Sequence, residues 1–206
     1  KLETDKEREL FIEAFWKQRD PTPGSPANEA RTEHYRRITY ANRMYGRDTS
    51  RSGWRTDRGR IYIILGEPND IQKFDGGLEV YPAEIWFYQG KTDLGLPPGF
   101  NLVFFKEHGM GEYRLYSPAT DGPQALLTGA QGDPIDFEGA YLSLKNKEPN
   151  LASVSLSLIP GEESGFMYRP TLSSDILLQR VASTPQRQIK EGYAEKFLAY
   201  KDRVEV

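Results

Sequence analysis

The residues best suited to chemistry in this chain lie between Gly53 and Glu84. Trp54, Arg55, Thr56, Asp57 and Arg58 set an indole, two guanidinium groups, a hydroxyl and a carboxylate side by side. Such a set could form a ligand pocket, with the indole as a stacking wall and an arginine as anion donor. Asp57, or one of Glu67, Asp70, Glu79 and Glu84 in the expected loops bordering a sheet, could act as a general acid or base. Two such carboxylates beside Trp54, within about 10 Å of each other, would suit glycoside chemistry. The same residues also make a rigid turn. Trp54 can bury about 200 Å² and anchor the loop. Thr56 and Asp57 carry the short oxygens that cap turns, and Gly59 tolerates an unusual φ. Asp57 lies within reach of Arg55, Arg58 or Arg60. This structural reading is preferred because it accounts for every identity, so no catalytic residue is assigned.

Other chemistries have little to work with. Cysteine is absent, which removes disulfides, thiolate catalysis and cysteine-based metal centres. His34 and His108 are the only histidines. His34 falls on one helical face with Ile38, Ala41 and Tyr45, where a packed, hydrogen-bonded imidazole is expected. There is no Gly-x-Ser-x-Gly elbow, no Gly-x-Gly-x-x-Gly, no Walker pattern and no His-Glu-x-x-His. Oxygens around Asp133-Pro134-Ile135-Asp136 could hold calcium, but the pattern is generic. No cofactor and no metal are expected.

Charge is unevenly spread. Residues 31–60 hold nine arginines against Glu33, Asp48 and Asp57, while the whole chain carries −3. The arginines are expected to pair with acidic surface elsewhere in the fold. An outward-facing, anion- or phospholipid-binding set is the alternative. A nucleic-acid partner is not expected, because the chain is acidic overall and no stacking motif accompanies the arginines. No apolar run reaches the roughly 18–20 residues that cross a bilayer. Membrane contact is left open. No signal peptide is visible, and the start at Lys1 reads as a trimmed end.

The elements that must position these residues are legible from caps and periodicity. Thr4-Asp5-Lys6-Glu7 is a capping box opening a helix whose apolar face includes Leu10, Phe11, Phe15 and Trp16. Pro21 to Pro26 form a stiff connector. A second helix runs from Asn28 as N-cap to Tyr45, with Gly46 as its stop. Ile61-Tyr62-Ile63-Ile64-Leu65 reads as a strand ending at Gly66-Glu67-Pro68. Residues 84–88, 100–105 and 113–116 supply three more, with a hairpin connection at His108–Gly111. No gap among them holds a crossover helix, so the sheet is antiparallel.

Both faces of this sheet are apolar. Alternation assigns Ile61, Ile63, Ile85, Phe87, Leu102 and Phe104 to one side, and Tyr62, Ile64, Trp86, Tyr88, Val103 and Phe105 to the other. Two helices cover only one face, so the C-terminal segment, another domain or a partner must cover the second. Beyond a Gly/Pro-rich stretch at 117–136, Val154–Leu158 alternates as a strand. Ser174–Val181 reads as a short helix, and Thr184-Pro185 opens another reaching about Tyr200. Val204–Val206 looks like the start of a further strand, so the native polypeptide is expected to continue.

Gly53-Trp54-Arg55-Thr56-Asp57 resembles the motif for which the GWxTD domain family is named. The likeness extends to Phe15–Gly24 with Asn28-Glu29, to Tyr35–Asn42, to Leu65–Pro68 and to Ile85–Tyr88, covering about residues 5–117. It implies a bacterial, exported protein, periplasmic or outer-membrane associated, in which this region is often part of a longer chain. It supplies no activity and no catalytic residues. The order of helices, Gly-x-Pro turn and Trp-x-Tyr strand also resembles small outer-membrane assembly lipoproteins. Those proteins carry a helix before the turn, where this sequence reads as a strand.

The sequence thus points to an α+β fold. Two N-terminal helices pack on an antiparallel sheet of about four strands within residues 1–117. Residues 118–206 form a mixed strand/helix extension or the truncated start of a second domain. The expected role is a non-enzymatic interaction or scaffolding module, partnered by a protein or by another domain of its own chain. A hydrolase or sugar-active enzyme using a carboxylate near Trp54, or an anion- or phospholipid-binding domain using the arginine-rich stretch, is the competing expectation. Trp54, Arg55, Thr56, Asp57 and Arg58 are the candidate binding residues.

Overall fold

The Thr4 hydroxyl accepts from the Glu7 N–H while the Glu7 carboxylate accepts from the Thr4 N–H, and helix α1 (Asp5–Gln18) starts from this reciprocal cap in the computed structural model. The structure describes residues 3–129, 136–165 and 168–187. Asn28 caps α2 (Glu29–Tyr45) by accepting from the Arg31 N–H, and Gly46 closes it. The Asn28 amide also donates to the Trp16 carbonyl, which ties the two helices together. No residue of α1 is buried. It rests on α2 through Trp16, whose ring lies 5.3 Å from His34 and 6.0 Å from Tyr35.

The segment read as a first strand is a helix. Thr56 caps α3 (Asp57–Leu65), and Gly66 ends it at φ +82°. Five consecutive apolar residues, Ile61 to Leu65, fit a buried strand and a buried helix equally well by periodicity. The cap decides for the helix.

The sheet is antiparallel in the order β1 (Asp70–Phe74), β2 (Ala83–Gln89), β3 (Gly99–Lys106) and β4 (Tyr113–Leu115). Three strands match the sequence reading, and β1 takes the place assigned to Ile61–Leu65. Register corrects the two faces. Glu84, Trp86 and Tyr88 lie opposite Phe104, Leu102 and Phe100, so these six share a face. Ala83, Ile85 and Phe87 lie opposite Phe105, Val103 and Asn101 on the other.

Helices α2 and α3 cover the first face. Tyr45 packs on Trp86 at 5.5 Å, and the Tyr88 hydroxyl donates to the Gly66 carbonyl at 3.1 Å. The C-terminal segment reaches the second. Phe105 meets Tyr116 edge-on, and the Tyr116 hydroxyl donates to the Ser155 carbonyl at 2.7 Å. Leu126, Leu144, Leu151, Leu158, Leu177 and Val181 join Val103 and Phe105 in one buried apolar cluster. They come from a turn after α4 (Pro118–Asp121), from α5 (Phe137–Lys147), α6 (Pro149–Ser155) and α7 (Leu172–Arg187), and from the loop between the last two.

Two C-terminal readings change. Val154-Ser155 closes α6 instead of opening a strand, although the Asn101 N–H donates to the Leu158 carbonyl beside β3. Thr184-Pro185 lies inside α7, where the Thr184 hydroxyl donates to the Arg180 carbonyl. The expected helix to Tyr200 and the strand at Val204–Val206 fall outside the described residues. Among the described residues, no helix is long and apolar enough to cross a membrane.

Candidate functional site

Gly53–Arg55 forms a single 3-10 turn between α2 and α3. Gly53 in this turn and Gly59 in α3 let three backbones touch. A Cβ on Gly53 would stand 2.1 Å from the Ala41 carbonyl oxygen, and one on Gly59 would stand 1.9 Å from that of Gly53. No side chain fits at either place. Thr56 locks the stack. Its buried hydroxyl donates to the Gly53 carbonyl at 2.7 Å and accepts from the Gly59 N–H at 3.1 Å.

Asp57 and Arg58 extend the brace into the sheet. The Asp57 carboxylate accepts from the Leu115 N–H at 2.8 Å, so α3 is fastened to β4. A negative charge at the first position of α3 also suits the helix dipole. Arg58 turns inward. Its guanidinium lies 3.1 Å from the Glu84 carboxylate, 3.7 Å from that of Asp48 and 4.0 Å from the Tyr113 ring centroid. The other Glu84 oxygen accepts from the Trp86 indole N–H at 2.9 Å. Charge removed from water this far is tolerable only with partners of this kind. Burial pushes the Tyr45 and Tyr113 hydroxyls above the usual phenol range, so both rings stay neutral beside the ion pair.

Asp57 therefore serves a backbone N–H rather than a neighbouring arginine, and Glu84 is a buried strand residue rather than a loop acid. Sequence distance hides both partnerships, since 58 residues separate Asp57 from Leu115 and 26 separate Arg58 from Glu84.

Trp54 departs from the brace. Its side chain is 43% exposed, while its backbone N–H donates to the Asn42 side-chain oxygen at 3.1 Å. The Arg55 guanidinium lies 4.9 Å from the indole centroid. Gly53 makes, through its backbone, the contact with α2 that the sequence assigns to the indole. The five candidates thus divide: Thr56 and Arg58 are buried, Asp57 is half-buried, and Trp54 and Arg55 face solvent.

The arginines divide as well. Arg36 and Arg37 pair with Glu33, Arg51 with Glu112, and Arg58 with Glu84 and Asp48. Arg31, Arg43, Arg47, Arg55 and Arg60 have no acidic partner among the described residues.

Two cavities lie away from the motif. A groove of about 540 Å³ runs between α1, α2, α3 and α7, walled by Phe15, Trp16, His34, Ile63, Ile64 and Pro185. Arg37 at its base is committed to Glu33 at 2.7 Å and to the Ile63 carbonyl at 3.1 Å. Burial, with Arg37 nearby, holds the His34 pKa below the usual imidazole value, so it is a packed neutral ring. A smaller pocket of about 260 Å³ lies beside Tyr81, Phe105 and His108. Neither is lined by any residue from Gly53 to Arg58. Glu67, Asp70 and Glu79 are exposed. Among the described residues no group of three or more His, Asp or Glu side chains is placed to hold a metal ion. Most of the calcium candidate, Asp133 to Ile135, falls outside them.

A family model for the GWxTD domain matches residues 1–113, more than half of the chain. No curated protein and no solved structure matches it.

Proposed function

The chain belongs to the GWxTD domain family, and from that premise we propose that it is a non-enzymatic interaction module whose contact point is Trp54 with Arg55. One observation carries this reading. An indole 43% exposed to solvent sits on a turn whose backbone is fixed from three sides, by Asn42, by the Gly53–Gly59 approach and by the Thr56 cap. An exposed aromatic normally adds little to a fold, whereas a pre-ordered one binds a partner with little loss of freedom. Tryptophan and arginine are also the residues that most often dominate interface energies. In this reading the brace below the turn exists to present the two side chains. The module belongs to an exported bacterial protein, periplasmic or outer-membrane associated, and acts as a scaffold there.

The hydrolase alternative draws no support from the two cavities described above, which contain neither Trp54 nor Asp57. The anion-binding alternative draws on the unpaired arginines and meets the present reading at the same surface.

The test is a photo-crosslinking side chain at position 54 of the full-length protein in its own cells. A discrete crosslinked species is expected from position 54 and not from Leu78, which is 98% exposed. Recovery of a lone, uncrosslinked monomer from both positions overturns the proposal.

A further inference from the structure

Three exposed arginines lie on the segments that hold the Trp54 turn: Arg43 on α2, Arg47 just after it and Arg55 on the turn itself. Asn42, which holds the Trp54 backbone, is followed on α2 by Arg43. Arg47 folds back so that its Nε donates to the Arg43 carbonyl at 3.0 Å. Gly46, the residue before Arg47, lies against Gly53. Arg43, Arg47 and Arg55 are all exposed, and none has an acidic partner among the described residues. Beyond residue 60 the chain carries a net negative charge, yet no acid from it pairs with these three arginines among the described residues.

Resting on the interaction reading above, we infer that the partner presents an acidic segment carrying an apolar side chain, with the carboxylates on Arg43, Arg47 and Arg55 and the apolar group on Trp54. Guanidinium groups bind carboxylates through paired N–H donors, and they lose less hydration than ammonium groups in doing so. The indole supplies the apolar anchor. A membrane surface fits less well. Interfacial attachment requires an extended apolar face or a lipid anchor. Asn42, which holds the Trp54 backbone, and Arg43 next to it in sequence are exposed and polar. Three basic residues near an anionic bilayer give weak attraction on their own.

The experiment uses the full chain and a fluorescein-labelled peptide of glutamates and aspartates around one leucine. Its comparators are the lysine counterpart and vesicles of phosphatidylglycerol and phosphatidylcholine. Saturable anisotropy is expected with the acidic peptide alone, weakening as salt rises. Trp54→Ala should weaken it about tenfold, and Arg43→Glu with Arg47→Glu should do at least as much. Lys73→Glu on β1 should leave it unchanged. These positions are exposed, so unchanged thermal unfolding confirms that each variant is folded. No saturable binding to the acidic peptide overturns the inference, as does equal loss with Lys73→Glu or preferential capture by the vesicles. If crosslinking at position 54 still finds a partner, the acidic specificity alone falls. If it finds none, both readings fall together.

Discussion

Two tryptophan–arginine sets, one around Trp86 and one at Trp54, are built for opposite ends. Trp86 is fully buried and donates to Glu84, which also receives Arg58. Trp54 is 43% exposed, with Arg55 beside it, and Arg55 pairs with no carboxylate among the described residues. The inner pair shares one acid, and that acid lets a charge survive in the core. The outer pair has none bound to it among the described residues, and both of its side chains face solvent. The same two residue types thus hold the fold together at one place and are available at the other. The difference lies in whether a carboxylate closes the set.

Breaking the inner pair should have the largest effect. Arg58→Ala leaves Glu84 buried and unpaired, and a loss of about 3–5 kcal/mol is expected in urea unfolding. Arg55→Ala should change stability by less than about 0.5 kcal/mol, since its exposed side chain has no acidic partner among the described residues. Gly59→Ala comes next. The added methyl meets the Gly53 carbonyl, so a loss of about 1–3 kcal/mol or more should appear as a lowered Tm. Asp57→Ala removes a charged acceptor from the Leu115 N–H, and about 1.5–3 kcal/mol should follow. Hydrogen exchange at Leu115 would rise if that bond is what holds β4; unchanged exchange would refute the tie. The smallest effect concerns Glu33. The hydrogen bond from Arg36 outweighs desolvation and, with Arg37, lowers its pKa from 4.5 to about 2. The folded value lies below the unfolded one, so this stabilisation is present above about pH 4.5 and fades as pH falls towards 2. The side chain is 41% exposed, so solvent screening keeps the contribution under about 1 kcal/mol. Glu33→Gln should flatten that part of the pH–stability curve by this small amount.

Where the physics was local, the sequence was sufficient. Thr4 with Glu7, and Asn28 with Gly46, mark α1 and α2 because caps act within a few residues. Strands β2 to β4 announce themselves by aromatic and β-branched runs. Helix α3 was hidden, since Ile61–Leu65 is too short and too uniformly apolar to show a period, although Thr56-Asp57 and Gly66 were its correct end signals. Strand β1, largely polar at the sheet edge, left little hydrophobic trace. At the candidate site, the glycines and the Thr56 cap could be read as a turn. The partners of Asp57 and Arg58 could not, being set by long-range packing. Nor could the exposure of Trp54, because a tryptophan in a loop carries no mark of which way it will face.

The bare contact of three main chains at Gly53 and Gly59 bears on how the protein would respond to force. With no side chain in between to flex, a pull applied at the outer indole has little compliance to take up. It would be passed directly to α2 and α3, and through Asp57 to the last strand of the sheet. A tether fastened at this turn would therefore draw on the resistance of the whole N-terminal body instead of peeling away one loop.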